Sequence, residues 1–266
     1  AYKQTLVEGG VIQTLLFLTR FPDRDSARCA CLALAGMALG DYKQSKTRII
    51  DEGALRSLLE LARFPDQEIQ RCAGLAINCL VLGTEQEPKT AVMNGEGISP
   101  LLLRLQHKNS ECIHHAICCL GSLRESDEVK ANLVEMKSIE LIIPQIHTGS
   151  IEIKRAVGYF FAKLAESSEF YDKIASAGGL EGVISLASLV DSEYQDYTTF
   201  ALAFLASNRE YQVKLVKIGA VHPLVSIMAT NSEPKHYTGL ALLKLADNFE
   251  NHITIAKEGG IEALLR

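Results

Sequence analysis

The sequence has 266 residues, of which 47% are hydrophobic and 22% are charged, which is the balance of a folded protein. Its 27 Lys and Arg residues against 32 Asp and Glu residues give a formal net charge of −5. Nucleic acids and anionic membranes attract clustered cations, so this mildly acidic composition argues against a general nucleic-acid or membrane-surface binder.

Cysteine usage favours the cytoplasm. The seven cysteines are an odd number and all lie in apolar segments rich in Ala and Leu. A secreted domain of this size usually carries paired cysteines in loops instead. We therefore expect a cytoplasmic protein with free thiols.

A repeat of about 40 residues organises the chain from its first predicted helices onward. The tetrapeptide Arg20-Phe21-Pro22-Asp23 recurs 43 residues later as Arg63-Phe64-Pro65-Asp66, each time after an apolar run. Extending this register gives one column of turn positions, in which six of seven residues are glycine: Gly10, Gly53, Gly97, Lys137, Gly178, Gly219 and Gly259. Periods of this length indicate a stacked array rather than independent domains.

Within each period the pattern predicts three helices. A short apolar segment such as residues 47–50 comes first, a glycine turn follows, and then about eleven residues have helical apolar spacing, as in residues 180–186. A polar turn then leads into a longer helix such as residues 69–82. Acidic residues recur at the start of this third helix, where they complement the helix dipole: Asp25, Glu68, Glu111, Glu152, Glu193 and Glu233.

The turns and the third helices resemble those of the armadillo-repeat family. The turn sequences Gly53-Ala54-Leu55 and Gly219-Ala220-Val221 match its glycine turn, and Ala201-Leu202-Ala203-Phe204-Leu205 matches its third-helix pattern. The resemblance implies an all-α, right-handed solenoid of about six three-helix repeats plus the start of a seventh. Because Lys137 replaces the glycine of the fourth repeat, we expect that junction to bend differently.

The register also predicts the domain organisation. Residues 1–266 form a single armadillo-repeat domain, and because the seventh repeat stops before its third helix, we expect a fragment of a longer protein. The predicted repeats are 3–45, 46–88, 89–130, 131–171, 172–212, 213–252 and the partial repeat 253–266.

The resemblance places the third helices along a concave groove, and three columns of residues should line it. The first column reads Gly36, Cys79, Ser122, Lys163, Phe204 and Lys244. The column four residues earlier reads Leu32, Leu75, Cys118, Tyr159, Phe200 and Leu240, and the column seven residues earlier reads Cys29, Cys72, His115, Ala156, Tyr197 and Tyr237. The residues that line the groove thus change along the chain, from small and apolar ones in the first half to aromatic residues and lysines in the second half. Family members that grip extended peptides carry a recurring Asn in the first column, and this column has none.

We therefore predict partner binding in repeats four to six, by an apolar anchor flanked by acidic residues, because buried aromatic residues supply most hot-spot energy. The groove residues are Tyr159, Lys163, Tyr197, Phe200, Phe204, Tyr237, Leu240 and Lys244. Secondary candidates are Arg28, Leu32, Arg71, Leu75, His115 and Arg155. The three arginines, with His114 and His236 nearby, could form a cationic ladder for an acidic partner, or they could be ordinary solvated residues or caps for neighbouring carbonyls. The alternative for the main set is that its rings only pack between helices, while Glu166 and Asp247 neutralise the lysines.

Catalytic signals are weak. His114 and Cys118 are four residues apart, as are His115 and Cys119, a spacing that can hold a metal, but each pair supplies two ligands where structural zinc needs four. We therefore predict no enzyme activity, no metal and no cofactor. The sequence favours a protein-binding adaptor or scaffold for extended or helical segments. The alternatives are a regulatory region of a multidomain enzyme, such as a ubiquitin ligase, and a component of a cytoskeletal or ciliary assembly.

Overall fold

The computed structural model describes residues 9–20, 23–39, 43–81, 98–106, 109–122, 127–189, 192–230 and 235–265. Within these ranges the chain is helical and contains no strand, which confirms the predicted all-α fold class. The chain divides into two compact units, Ala1–Val129 and Lys130–Arg266. The predicted repeat boundaries stay predictions.

The first unit contains long helices that pack side by side in chain order. Helix α2 packs against α5, and α5 packs against α7, with shorter helices before each of them. The helices are α1 (Val11–Thr19), α2 (Arg24–Ala38), α3 (Lys43–Asp51), α4 (Ala54–Leu61), α5 (Gln67–Val81), α6 (Ile98–Arg104), α7 (Ser110–Ser122) and α8 (Asp127–Glu135), the last of which crosses into the second unit.

The second unit repeats this arrangement. Its long helices are α11, α14 and α17, and α14 packs against both of the others. The helices are α9 (Ser138–Ile142), α10 (Pro144–Thr148), α11 (Ile151–Leu164), α12 (Tyr171–Ser176), α13 (Gly179–Ala187), α14 (Ser192–Ala206), α15 (Arg209–Lys217), α16 (Val221–Ala229), α17 (Lys235–Ala246), α18 (His252–Lys257) and α19 (Gly260–Leu264). Short 3₁₀ turns, Ser168–Phe170 and Phe249–Asn251, precede α12 and α18.

The described positions of the turn column all have a positive φ. Every glycine of the column within the described residues has a positive φ, between 75° and 92°; Gly97 lies outside them. Lys137 has the same conformation at φ 58° and is the single non-glycine residue described with a positive φ. Lys137 therefore adopts the left-handed conformation of the glycines, although a side chain makes it costly. The expectation that this junction bends differently stays a prediction.

Polar side chains cap the long helices. Asp23 accepts a hydrogen bond from the Ser26 amide at 2.8 Å, and Asp66 and Asn109 hold the first amides of α5 and α7 in the same way. The acidic column begins these helices as predicted, with Asp25, Glu68, Glu111 and Glu152 in first turns. Of the remaining two residues of the column, Glu193 is the second residue of α14, and Glu233 lies outside the described residues.

Side chains of the second unit also reach back six residues to the carbonyl end of the preceding long helix. Gln212 donates to the Ala206 oxygen at 3.1 Å, and Asn251 donates to the Leu245 oxygen at 2.8 Å. These buried bonds satisfy carbonyls that a helix end leaves without partners. They hold each long helix at a fixed angle to the short helix that follows it.

Among the described residues, no single helix has the length and apolar composition of a membrane span. Helices α15 and α16 meet the length and composition criteria only when they are taken together, and they form a pair bent by 81°.

Candidate functional site

The eight main groove residues lie on three neighbouring helices of the second unit. Helix α11 supplies two of them, and α14 and α17 supply three each. All eight side chains are partly exposed, and Tyr197 is the most open of the tyrosines in the set, at 37%. Because α14 packs against both α11 and α17, the three helices bring these residues onto one surface. The residues are Tyr159, Lys163, Tyr197, Phe200, Phe204, Tyr237, Leu240 and Lys244.

The rings on this surface contact one another across the helices. Tyr159 and Tyr197 meet edge to face with ring centroids 5.4 Å apart. Phe200 stacks on Phe204 at 4.5 Å and meets Tyr237 edge to face at 4.9 Å. We call these five rings the aromatic row. The rings do pack between helices, as the alternative predicted, yet they remain partly open to solvent.

A cavity of about 390 Å³ opens among these rings, and we call it the aromatic pocket. It takes residues from all three long helices: Ala162, Lys163, Asp196, Tyr197, Phe200, His236 and Tyr237. Ala162 is buried, whereas His236 is exposed. The pocket therefore joins a mostly apolar interior to residues that can form hydrogen bonds.

Both lysines of the surface already have carboxylate partners. Lys163 Nζ lies 2.5 Å from Glu166, and Lys244 Nζ lies 3.7 Å from Asp247. Lys163 Nζ also lies 5.8 Å from the Tyr159 ring centroid and 5.9 Å from that of Phe200. On this point the structure matches the alternative: the lysine charges are locally compensated.

The groove columns are less regular in the first unit than the sequence predicted. Cys79 and Ser122 are each only 6% exposed, and Cys72 is fully buried. In the second unit Ala156 is also buried. These small side chains project little beyond the backbone, so the neighbouring helices cover them. Their placement on an open surface is wrong.

The secondary candidates with positive charge are compensated in the first unit. Arg28 pairs with Asp25 at 3.1 Å. Arg71 pairs with Glu68 on its own helix at 3.1 Å and with Glu111 on α7 at 3.3 Å. The Arg71 pair with Glu111 links two successive long helices, which favours a structural role over a cationic ladder.

The remaining secondary candidates do not form one site. Leu32 is exposed, Leu75 and His115 are half-buried in the first unit, and Arg155 is half-buried on α11 of the second unit. The structure places them on separate helices and gives them no common cavity among those described.

Burial affects the histidine and cysteine residues of α7. Cys119 is fully buried and its thiol lies 3.2 Å from Asn78 Oδ1. Burial raises the pKa of Cys118 to about 11 and lowers the pKa of His115 to about 4, so both are neutral at pH 7. No group of three or more possible metal ligands occurs among the described residues.

Sequence reasoning left three pocket residues out of the predicted groove and missed one buried charge. Ala162, Asp196 and His236 precede predicted groove residues by one position, a signal that the three-column register left out. The Arg104 guanidinium is buried against Gly74 and donates through Nη1 to the Gln70 oxygen, while its Nε and Nη2 have no hydrogen-bond partner among the residues that the structure describes.

Comparison with solved structures identifies the fold. A crystal structure of an engineered protein from the Northeast Structural Genomics Consortium matches with a TM-score of 0.91 and 26% identity; the match covers 99% of this chain and 65% of that one. A computationally designed armadillo repeat protein for modular peptide recognition matches with a TM-score of 0.83 and 22% identity over 87% of this chain and 98% of that one. A designed armadillo repeat protein in complex with the peptide (KR)4 matches with a TM-score of 0.80 and 22% identity over the same shares.

No protein-family model and no curated protein matches the sequence. The structural neighbours nevertheless agree with the turn and helix patterns of the sequence. The chain has an armadillo-like repeat fold.

Proposed function

We propose that this chain is a non-catalytic protein-binding scaffold, and that it holds a segment of its partner on the aromatic row of the second unit. The observation that carries the proposal is the aromatic pocket, a cavity of about 390 Å³ shared by three successive long helices. Pockets of this kind, mostly apolar with a few converging polar groups, are where proteins bind ligands.

The pocket is built for a side chain rather than for a reaction. Two of its wall rings, Phe200 and Tyr237, contact each other at 4.9 Å, and Phe204 stacks behind Phe200 at 4.5 Å, which favours a preformed surface. A preformed aromatic surface binds a partner without a large ordering cost. The fold gives further support, because one structural neighbour was designed for peptide recognition and another holds a peptide.

The partner segment has an apolar anchor as its main feature, and acidic flanking residues make a second contribution. Lys163 is held between Glu166 and two rings, so an incoming carboxylate must displace an existing partner. Lys244 is the more available lysine, because its side chain is 40% exposed and its carboxylate partner is farther away. We place this interaction in the cytoplasm, on the basis of the cysteine usage.

Selection from a random-peptide display library tests this function. The immobilised chain should enrich peptides that bind the parent, and binding should be lost in the double variant Tyr197→Ala with Phe200→Ala. Phe249→Ala is the matched control, because it removes an aromatic ring that is 77% exposed and lies outside the pocket. That variant should retain parental affinity.

Circular dichroism must first show that all variants remain folded. Enriched peptides that bind the double variant as tightly as the parent would contradict the assignment of the aromatic row. Failure to enrich any peptide would contradict the proposed function itself.

A further inference from the structure

We infer that the aromatic pocket accepts an uncharged aromatic side chain that carries a hydrogen-bond donor, namely a tryptophan or a tyrosine of the partner. This inference rests on the proposed function and specifies the anchor. It follows from the contacts that already cover the Phe200 ring, from the polar groups of the pocket, and from the size of the cavity.

The Phe200 ring leaves little place for a cation. Phe200 stacks on Phe204 with centroids 4.5 Å apart, so an ammonium group has no room on that face. The ammonium of Lys163 lies over the same ring, 5.9 Å from its centroid. A cation–π site on Phe200 is thus already occupied by a residue of the chain. A partner lysine or arginine would have to displace Lys163 or approach its charge.

The polar groups of the pocket favour an anchor with a donor. Asp196 and His236 line the cavity together with the rings. A carboxylate has about four lone-pair sites, so Asp196 can accept a hydrogen bond from an incoming group in addition to the interaction that it already makes. An indole N–H or a phenolic O–H is such a group, and a phenylalanine ring offers none. When these side chains are buried, their polar group normally finds a partner.

The cavity is large enough for a bulky side chain. Its volume of about 390 Å³ lies near the lower end of the range for ligand pockets. The cavity is also bounded by residues of all three long helices, so an anchor in it contacts α11, α14 and α17 at once. Edge-to-face contact with Tyr237 or Tyr197 would extend a geometry that these rings already adopt.

Titration with single-residue probes tests this inference. The probes are N-acetyl amides of tryptophan, tyrosine, phenylalanine and trimethyllysine, and the readout is the NMR signal of the Ala162 methyl group, assigned through Ala162→Ser. The ring of a bound aromatic probe should shift this methyl signal. Because the chain contains no tryptophan, the fluorescence of the tryptophan probe gives a second, background-free measurement.

We expect the tryptophan and tyrosine probes to bind about 2- to 10-fold more tightly than the phenylalanine probe, which is the effect of one hydrogen bond. Asp196→Ala should remove this preference and leave the affinity for the phenylalanine probe unchanged. Phe249→Ala should change neither affinity.

Three results would overturn the inference: tighter binding of trimethyllysine than of tryptophan, equal affinity for tryptophan and phenylalanine, or no probe-induced shift of the Ala162 methyl signal. None of these contradicts the proposed function, because library peptides could still bind the aromatic row through another residue. Conversely, a chain that binds the tryptophan probe but enriches no peptide contradicts the proposed function.

Discussion

Replacing Gly178 by valine tests the turn between helices α12 and α13. Gly178 has φ 82° and ψ 15°, and a Cβ atom there would lie 3.7 Å from Ile143 Cδ1, an ordinary contact. The first added carbon therefore finds space, and the cost comes from the left-handed backbone. For a β-branched residue we expect about 1–3 kcal/mol of destabilisation. Differential scanning calorimetry should show a melting temperature lowered by at least about 2 °C.

Lys137→Gly is the matched control, because it makes the reverse change at the equivalent turn, where φ is 58°. Relief of about 1–2 kcal/mol of strain outweighs the entropy cost of glycine, roughly 0.5–1 kcal/mol, so this variant should be neutral or slightly more stable. Hydrogen exchange in Gly178→Val should increase mainly in the helices beside the turn, since repeats are stabilised by their neighbours. Equal melting temperatures for Gly178→Val and the parent would refute the reasoning.

Three further changes test the packing. Gly74→Ala should destabilise the first unit by about 1–3 kcal/mol, because the new methyl group overlaps the Arg104 guanidinium. In denaturant titrations, adding Arg104→Met should restore the stability of this variant. If the stability effects of the two substitutions simply add in the double variant, the overlap is contradicted. Tyr171→Phe should cost about 0.5–1.5 kcal/mol in the same assay, since it removes the hydroxyl that donates to the Phe204 carbonyl at 2.9 Å, although the Ser207 amide still donates to that carbonyl; unchanged stability would show that water replaces the hydroxyl. Burial lowers the pKa of His115 from 6.5 to about 4, so the unfolded state binds more protons than the folded state between these pH values. The free energy of unfolding should therefore fall as the pH drops from 6.5 to 4. His115→Gln should flatten this pH dependence, and an unchanged dependence would show that other groups cause it.

The turns were predictable because glycine adopts a positive φ at little steric cost. The column containing Gly53, Gly178, Gly219 and Gly259 predicted turns between helices, and the structure has a turn with a positive φ at each of them. Lys137 could not be assigned in this way, because its conformation is imposed by the helices on either side and its own preference is overridden. A period in the sequence therefore locates the turn better than the residue type does.

The site was predicted in part. Helical spacing brought the aromatic residues of the second unit together, since the period of 3.6 residues is fixed by geometry. The compensation of Lys163 by Glu166 follows from the same rule, because residues three apart are neighbours on a helix. The burial of Cys79 and Arg104 depends on how closely particular helices approach, which the spacing of residues along one helix does not contain.

The central claim is that a partner segment binds across the three long helices of the second unit. Hydrogen exchange of the chain, with and without a peptide enriched from the display library, tests this most directly. The account predicts slower exchange in α11, α14 and α17 near the aromatic pocket, and loss of this protection in the double variant Tyr197→Ala with Phe200→Ala but not in Phe249→Ala. Protection confined to other helices, or protection that survives in the double variant, would contradict the claim.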